Sequence, residues 1–180
     1  VLSDNVAGLK ALVKQAWACG HRRIAFIHGE KTSVTENRIA GFYQACEELG
    51  LEIPEEYVRD GVYHDVERCA EETRALLALP QRPTAILFPD DFSAIGGIQT
   101  IREEGLLIPR DISVVGYDGN LISQIMSPQL TTYRQDTEAL GRAAAELLIE
   151  QIESPRTALP EQKLISGSLL KGQSVDVPNP

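Results

Sequence analysis

Four charged side chains and one tyrosine fall where short apolar runs end or where the next helix begins: Arg38, Tyr63, Asp90, Asp91 and Asp118. Carboxylates accept hydrogen bonds from hydroxyl groups, a guanidinium donates a planar fork of them, and an aromatic ring offers its face to C–H groups. This mixture suits a hydroxyl-rich small molecule such as a sugar. Each residue also has a plainer use. Asp90 and Asp91 suit the cap of the following helix, Asp91 above all. Asp118 before Gly119 suits a turn, and Tyr63 suits a core. Arg38, in the first turn of a helix, suits a solvated face, although the helix dipole there prefers anions. The residue pattern leaves both uses open.

Catalytic chemistry finds little support. His21, His28 and His64 lack metal-ligand spacing. No Gly-x-Gly-x-x-Gly follows a strand, and neither a phosphate-binding loop nor a Gly-x-Ser-x-Gly elbow is present. A phospho-acceptor receiver domain needs an acidic pair after its first strand, where this chain has His28-Gly29. Cys19, Cys46 and Cys69 are odd in number and widely spaced, so they read as reduced thiols packed like small apolar residues, which suits a reducing cytoplasm. The sequence therefore predicts no enzyme, no metal and no cofactor.

The elements that would position these side chains alternate. Apolar residues at helical spacing run from Asn5 to Cys19 and stop at Gly20. A continuous apolar run, residues 23–28, reads as a strand covered on both faces. Ser33 and Glu36 suggest a capping box opening a helix that closes at Gly50. Residues 57–59 read as a weak strand, and Asp65 starts a helix ending before Pro80. Residues 84–88 form a strand, followed by a helix to Glu104, and residues 112–117 form another. Such repeats predict an α/β fold, a parallel sheet with helices on both faces joined by right-handed crossovers. In that fold ligands bind beyond the carboxyl ends of the strands, where the candidate residues lie. Past Asp118 the rhythm breaks: an irregular stretch to Gln129, a short extended segment at 130–133, and an amphipathic helix over 136–152. A proline-containing connector at 155–160 follows, then short strands near 163–165 and 168–170.

The net charge of −9 disfavours contact with phosphate backbones, so this segment is not expected to bind nucleic acid by itself. An apolar fraction of 43% with 24% charged residues is ordinary for a globular chain. No apolar run approaches the roughly 20 residues that span a bilayer. The first residues resemble neither a signal peptide nor a translation start, since the single methionine is Met126; the chain reads as part of a longer protein.

Several motifs, in order, resemble LacI-type transcription regulators: Gly20-His21-Arg22-Arg23-Ile24, then Arg38-x-x-Gly41-Phe42, then Pro83-Thr84-Ala85-Ile86 with Asp90-Asp91-x-x-Ala94-Ile95-Gly96. The run Gly105-Leu106-x-Ile108-Pro109-x-Asp111 through Ile112-Ser113-Val114-Val115-Gly116-Tyr117-Asp118 is the most specific. Leu130-Thr131-Thr132-x-x-Gln135 and Gly141-x-x-Ala144 complete the set. The resemblance implies one subdomain of a periplasmic-binding-protein-like fold, with an effector, a sugar or sugar derivative, held in a cleft between two subdomains. Residues 1–132 would form the C-terminal subdomain. Residues 133–162 would cross to a missing N-terminal subdomain, leaving the face of Leu140, Ala144, Leu147 and Leu148 uncovered, and residues 163–180 would return.

Carried over by position, the effector contacts would be Arg38, Tyr63, Asp90, Asp91 and Asp118, with Gln135 near the hinge. The resemblance also implies a cytoplasmic homodimer that reaches operator DNA only through a missing N-terminal segment, away from membranes. A periplasmic sugar-binding transport receptor is the alternative on the same fold. Two departures stand out: Gly172 occupies a position that is arginine in the family's closing Leu-Val-x-Arg-x-Ser segment, and the loop Lys31 to Thr35 declares no effector class.

Overall fold

The computed structural model describes residues 1–155 and 161–179. The connector read at 155–160 lies, beyond Pro155, outside the described residues, as does the terminal Pro180.

The strands are β1 (Leu2–Ser3), β2 (Ile24–His28), β3 (Val58–Asp60), β4 (Ala85–Leu87), β5 (Ser113–Asp118), β6 (Thr131–Arg134), β7 (Leu164–Ile165) and β8 (Ser168–Leu170). The helices are α1 (Asn5–Ala18), α2 (Ser33–Glu48), α3 (Val66–Leu77), α4 (Ala94–Glu103), the short α5 (Leu121–Ile125) and α6 (Thr137–Glu153). A six-stranded sheet has the order β3-β2-β4-β5-β6-β8. All its pairings are parallel except β6 with β8, which is antiparallel. β1 and β7 pair separately and in parallel, Leu2 beside Leu164. β1 escapes sequence reading because two residues carry no periodicity.

Strand residues alternate between two cores, which explains the continuous apolar runs. Ile24, Phe26, Leu87, Val115 and Tyr117 pack with α1 and α2 residues such as Leu9, Leu12 and Phe42. Ala25, Ile27, Ile86, Phe88 and Val114 pack on the opposite side with Cys69 and Leu76 of α3 and Ile98 and Ile101 of α4. The cysteines are free, and burial pushes the Cys46 and Cys69 thiols up to about 11, so both stay protonated packing groups.

In place of the capping box expected at Ser33, α2 has a simple N-cap one residue earlier. Thr32, in an extended conformation, is the N-cap of α2 and accepts from the Thr35 N–H at 3.2 Å. Asp65 and Asp136 cap α3 and α6 as their positions suggest, accepting from Arg68 N–H at 2.8 Å and Ala139 N–H at 2.9 Å. At the amino ends of the strands His21 is wholly buried. Its Nδ1 lies 2.9 Å from Thr84 Oγ1 and its Nε2 2.9 Å from Ser113 Oγ. Burial holds this imidazole below its ordinary pKa, and so uncharged. Ser113 Oγ in turn accepts from the Asp176 N–H at 3.2 Å, tying the C-terminal segment to the same end of the sheet.

Helix α6 buries only Ala143. Leu148, Ile149 and Ile152 are 58%, 54% and 68% exposed, so an apolar stripe of this helix lacks cover. Of the face expected to be bare, Ala144 and Leu148 are exposed while Leu140 and Leu147 are half-buried.

Candidate functional site

Arg38 sits on the second turn of α2 and is 5% exposed, contrary to the solvated-face alternative. Its Nε donates to Asn5 Oδ1 at 2.9 Å and one terminal nitrogen donates to the Pro89 carbonyl at 2.6 Å. The guanidinium carbon lies 3.6 Å from the centroid of the Tyr117 ring and 5.4 Å from that of Tyr63. The other terminal nitrogen points to Asp118 Oδ1 at 3.8 Å. Held by two acceptors and an aromatic face, this side chain has one orientation, with donors left over toward the strand ends.

Asp118 ends β5 with φ of 104°, a region that L side chains rarely adopt. Gln135, just beyond β6, fixes its carboxylate by donating from Nε2 to Oδ1 at 2.6 Å, while Gln135 N–H donates to the Asp118 carbonyl at 3.2 Å. Burial raises the Asp118 carboxyl above its ordinary value, against the opposing pull of Arg38 and Gln135. Tyr63 is neither core nor free. Its hydroxyl lies 2.9 Å from Thr35 Oγ1, its N–H donates to Glu30 Oε2 at 2.9 Å, and its ring packs where a side chain on Gly29 would collide.

The two neighbouring aspartates differ in use. Asp90, 1% exposed, closes the turn before α4: Oδ1 takes the Ser93 N–H at 2.7 Å. Its Oδ2 takes the Ser93 hydroxyl at 2.8 Å and the His64 N–H at 2.9 Å, the latter in a turn where His64 has φ of 59°. Neither aspartate caps α4: its N-cap is Ser93, which makes no side-chain cap bond, and Asp90 closes the turn leading into it. Asp91, with no exposure, accepts from Thr132 Oγ1 at 2.6 Å and from Asn120 N–H at 2.7 Å. Burial pushes its carboxyl up to about 7, with Asp118 and Asp90 adding to the rise.

Arg38, Tyr63, Asp118 and Gln135 therefore converge, and Asp90 adjoins them through Pro89 and His64. Beside them a cavity of about 430 Å³ has Leu2, Asn5, Val34, Arg38, Gln135 and Leu140 among its walls; Tyr63 and Asp118 border Arg38 without lining it. Sequence reasoning missed Asn5, whose Oδ1 also accepts from the Tyr117 hydroxyl at 3.3 Å. An asparagine opening a helix carries no sign that it will be buried beneath an arginine. Tyr117, at a strand end beside Asp118, was not counted among the candidate contacts. Among the described residues no group of three or more His, Cys, Asp or Glu side chains could hold a metal, and no helix is long and apolar enough to cross a membrane.

A parallel sheet with polar side chains gathered at its carboxyl ends is the arrangement at which open α/β folds hold ligands. Residues 13–175 match the family described as periplasmic binding protein-like domain. The chain is 33% identical over 156 residues to the ribose operon repressor of Haemophilus influenzae, covering 86% of this chain and 47% of that protein. It is 40% identical over 134 residues to the transcriptional repressor PurR of Pasteurella multocida, covering 74% of this chain and 40% of that one. A solved complex of the transcriptional regulator CelR with cellobiose superposes with a TM-score of 0.89 at 28% identity, covering 96% of this chain and 52% of that chain. The chain belongs to the periplasmic binding protein-like domain family, in the branch of LacI-type transcription regulators. It spans about half the length of these relatives, which are named as regulators and not as enzymes.

Proposed function

We propose that this chain is the effector-sensing part of a cytoplasmic LacI-type regulator and binds a small, hydroxyl-rich effector, a sugar or sugar derivative, without converting it. The observation that carries the reading is the immobilised pair at the strand ends. Arg38 is held by Asn5 and Pro89, and it meets Asp118 at 3.8 Å, with Gln135 fixing that carboxylate at 2.6 Å. Donor and acceptor lie side by side, as adjacent ligand hydroxyls require. Tyr63 supplies a ring face, and Asp90 holds the His64 turn that follows it. The names of the ribose operon repressor and of the cellobiose complex support a sugar.

In the longer regulator this wall would be one half of an inter-subdomain cleft formed in a homodimer. Residues 1–132 would be the C-terminal subdomain, 133–162 the excursion to the other subdomain, and 163–180 the return. Operator DNA would be read by a segment outside this sequence. Effector binding alters operator affinity only if it favours one subdomain arrangement over the other. The test is a thermal-shift screen of the full-length regulator against sugars, sugar acids and nucleosides. A hit from the sugars that disappears in Asp118→Ala supports the reading, and an equal shift in that variant places the site elsewhere.

A further inference from the structure

Asp91 is wholly buried, and its carboxylate oxygens are occupied by two donors that belong to the turn after β5 and to the neighbouring strand. Asn120 N–H donates to Oδ2 at 2.7 Å, and Thr132 Oγ1 donates to Oδ1 at 2.6 Å. The same Thr132 hydroxyl accepts from Gly119 N–H at 3.2 Å. Asp91 N–H itself donates to the Tyr117 carbonyl at 2.8 Å. The residues on both sides of Asp118 are thus tied to one residue, Tyr117 through the Asp91 backbone and the Gly119-Asn120 turn through its carboxylate. Gly116 leaves the space for it, since a side chain there would collide with Asp91 Oδ1. Between these ties Asp118 is held at φ of 104°, a conformation its own backbone does not favour.

We propose that Asp91 is a positioning residue of the effector site: without touching ligand, it clamps the turn Gly119-Asn120 and so sets where the Asp118 carboxylate stands. The inference rests on the reading of Asp118 as an effector contact and assigns Asp91 a role distinct from it. A buried carboxylate with one donor from the turn and one from the neighbouring strand is a rigid anchor, because releasing either donor leaves a buried polar group unpaired. Thr132 relays the clamp, its hydroxyl donating to Asp91 while accepting from Gly119.

The experiment compares Asp91→Asn, Thr132→Val and Thr132→Ser with the parent chain. Exchange of the Gly119 and Asn120 amide protons reports the turn. The side-chain amide signals of Gln135, which is bonded to Asp118 Oδ1, report the carboxylate without any ligand. Titration with D-ribose, followed by the same signals, reports binding. The expected result is faster exchange by on the order of tenfold and displaced Gln135 signals in Asp91→Asn and Thr132→Val. Ribose binding should weaken to a similar degree in both, with parent behaviour restored in Thr132→Ser. Unchanged exchange and Gln135 signals overturn the clamp, and so does a displaced Gln135 signal with undiminished ribose affinity. If Asp91→Asn fails to fold, the threonine pair decides by the same readouts. A parent chain whose signals ignore ribose counts against the sugar reading, while exchange and the Gln135 signals still decide the clamp.

Discussion

Arg38 combines a full charge with almost no exposure, a state tolerated only because acceptors and an aromatic face surround it. Arg38→Lys keeps the charge but loses the fork that serves Asn5 Oδ1 and the Pro89 carbonyl together. The expected cost is about 1–3 kcal/mol in urea unfolding, accompanied by loss of the effector-induced thermal shift. Asp91 gives a pH prediction with a definite sign. Its folded-state carboxyl titrates at about 7 against an ordinary value of 3.8, so between those values the folded chain holds a proton that the unfolded chain has released. Its contribution to stability is present below the ordinary value and is lost as pH rises toward 7. Stability of the parent relative to Asp91→Asn should therefore fall over that window; a flat difference would refute the assignment. The sequence showed Asp90, Asp91 and Asp118 as candidates but not their division of labour. Two adjacent aspartates look alike in a string, and their roles separate only when burial and partners come from Ser93, Thr132 and Asn120, distributed along the chain.

At the scale of elements, the strands were legible where both faces are buried. Residues 24–28 and 113–118 show it, because alternate residues enter different apolar cores and the run reads as unbroken. The edge strand β3 was faint because Arg59 and Asp60 leave it half-wet. The antiparallel β8 could be placed as a segment but not oriented, since orientation depends on the path of the excursion before it. The starts of α1, α2, α3 and α6 were readable to within a residue, whereas α4 begins at Ala94, beyond the cap read at Asp91. The misplaced cap of α2 supplies a test: Thr32→Ala should cost about 1 kcal/mol in urea unfolding, whereas Ser33→Ala should change stability by only a few tenths. Equal effects would return the cap to Ser33.

Over the whole molecule, α6 carries its apolar stripe into solvent, with Ile152 68% exposed. Contiguous apolar surface of this kind promotes association. Sedimentation of this chain should show concentration-dependent self-association, reduced by Leu148→Glu with Ile152→Glu; a monomer at every concentration would remove that expectation. A single wall of a cleft should also hold its effector weakly. Affinity tighter than about 1 μM for a simple sugar, measured by calorimetry, would contradict a site shared with a second subdomain.

The imidazole of His21 lies at the opposite end of the sheet from Arg38 and Asp118. One uncharged ring joins hydroxyls on residues beginning β4 and β5, and Ser113 extends the junction to the tail. Opening any of the three segments there means opening all of them. Deuterium should therefore enter late at the amino ends of these strands, and at one common rate in all three segments. The amino ends of two central strands and the tail thus form one cooperative unit.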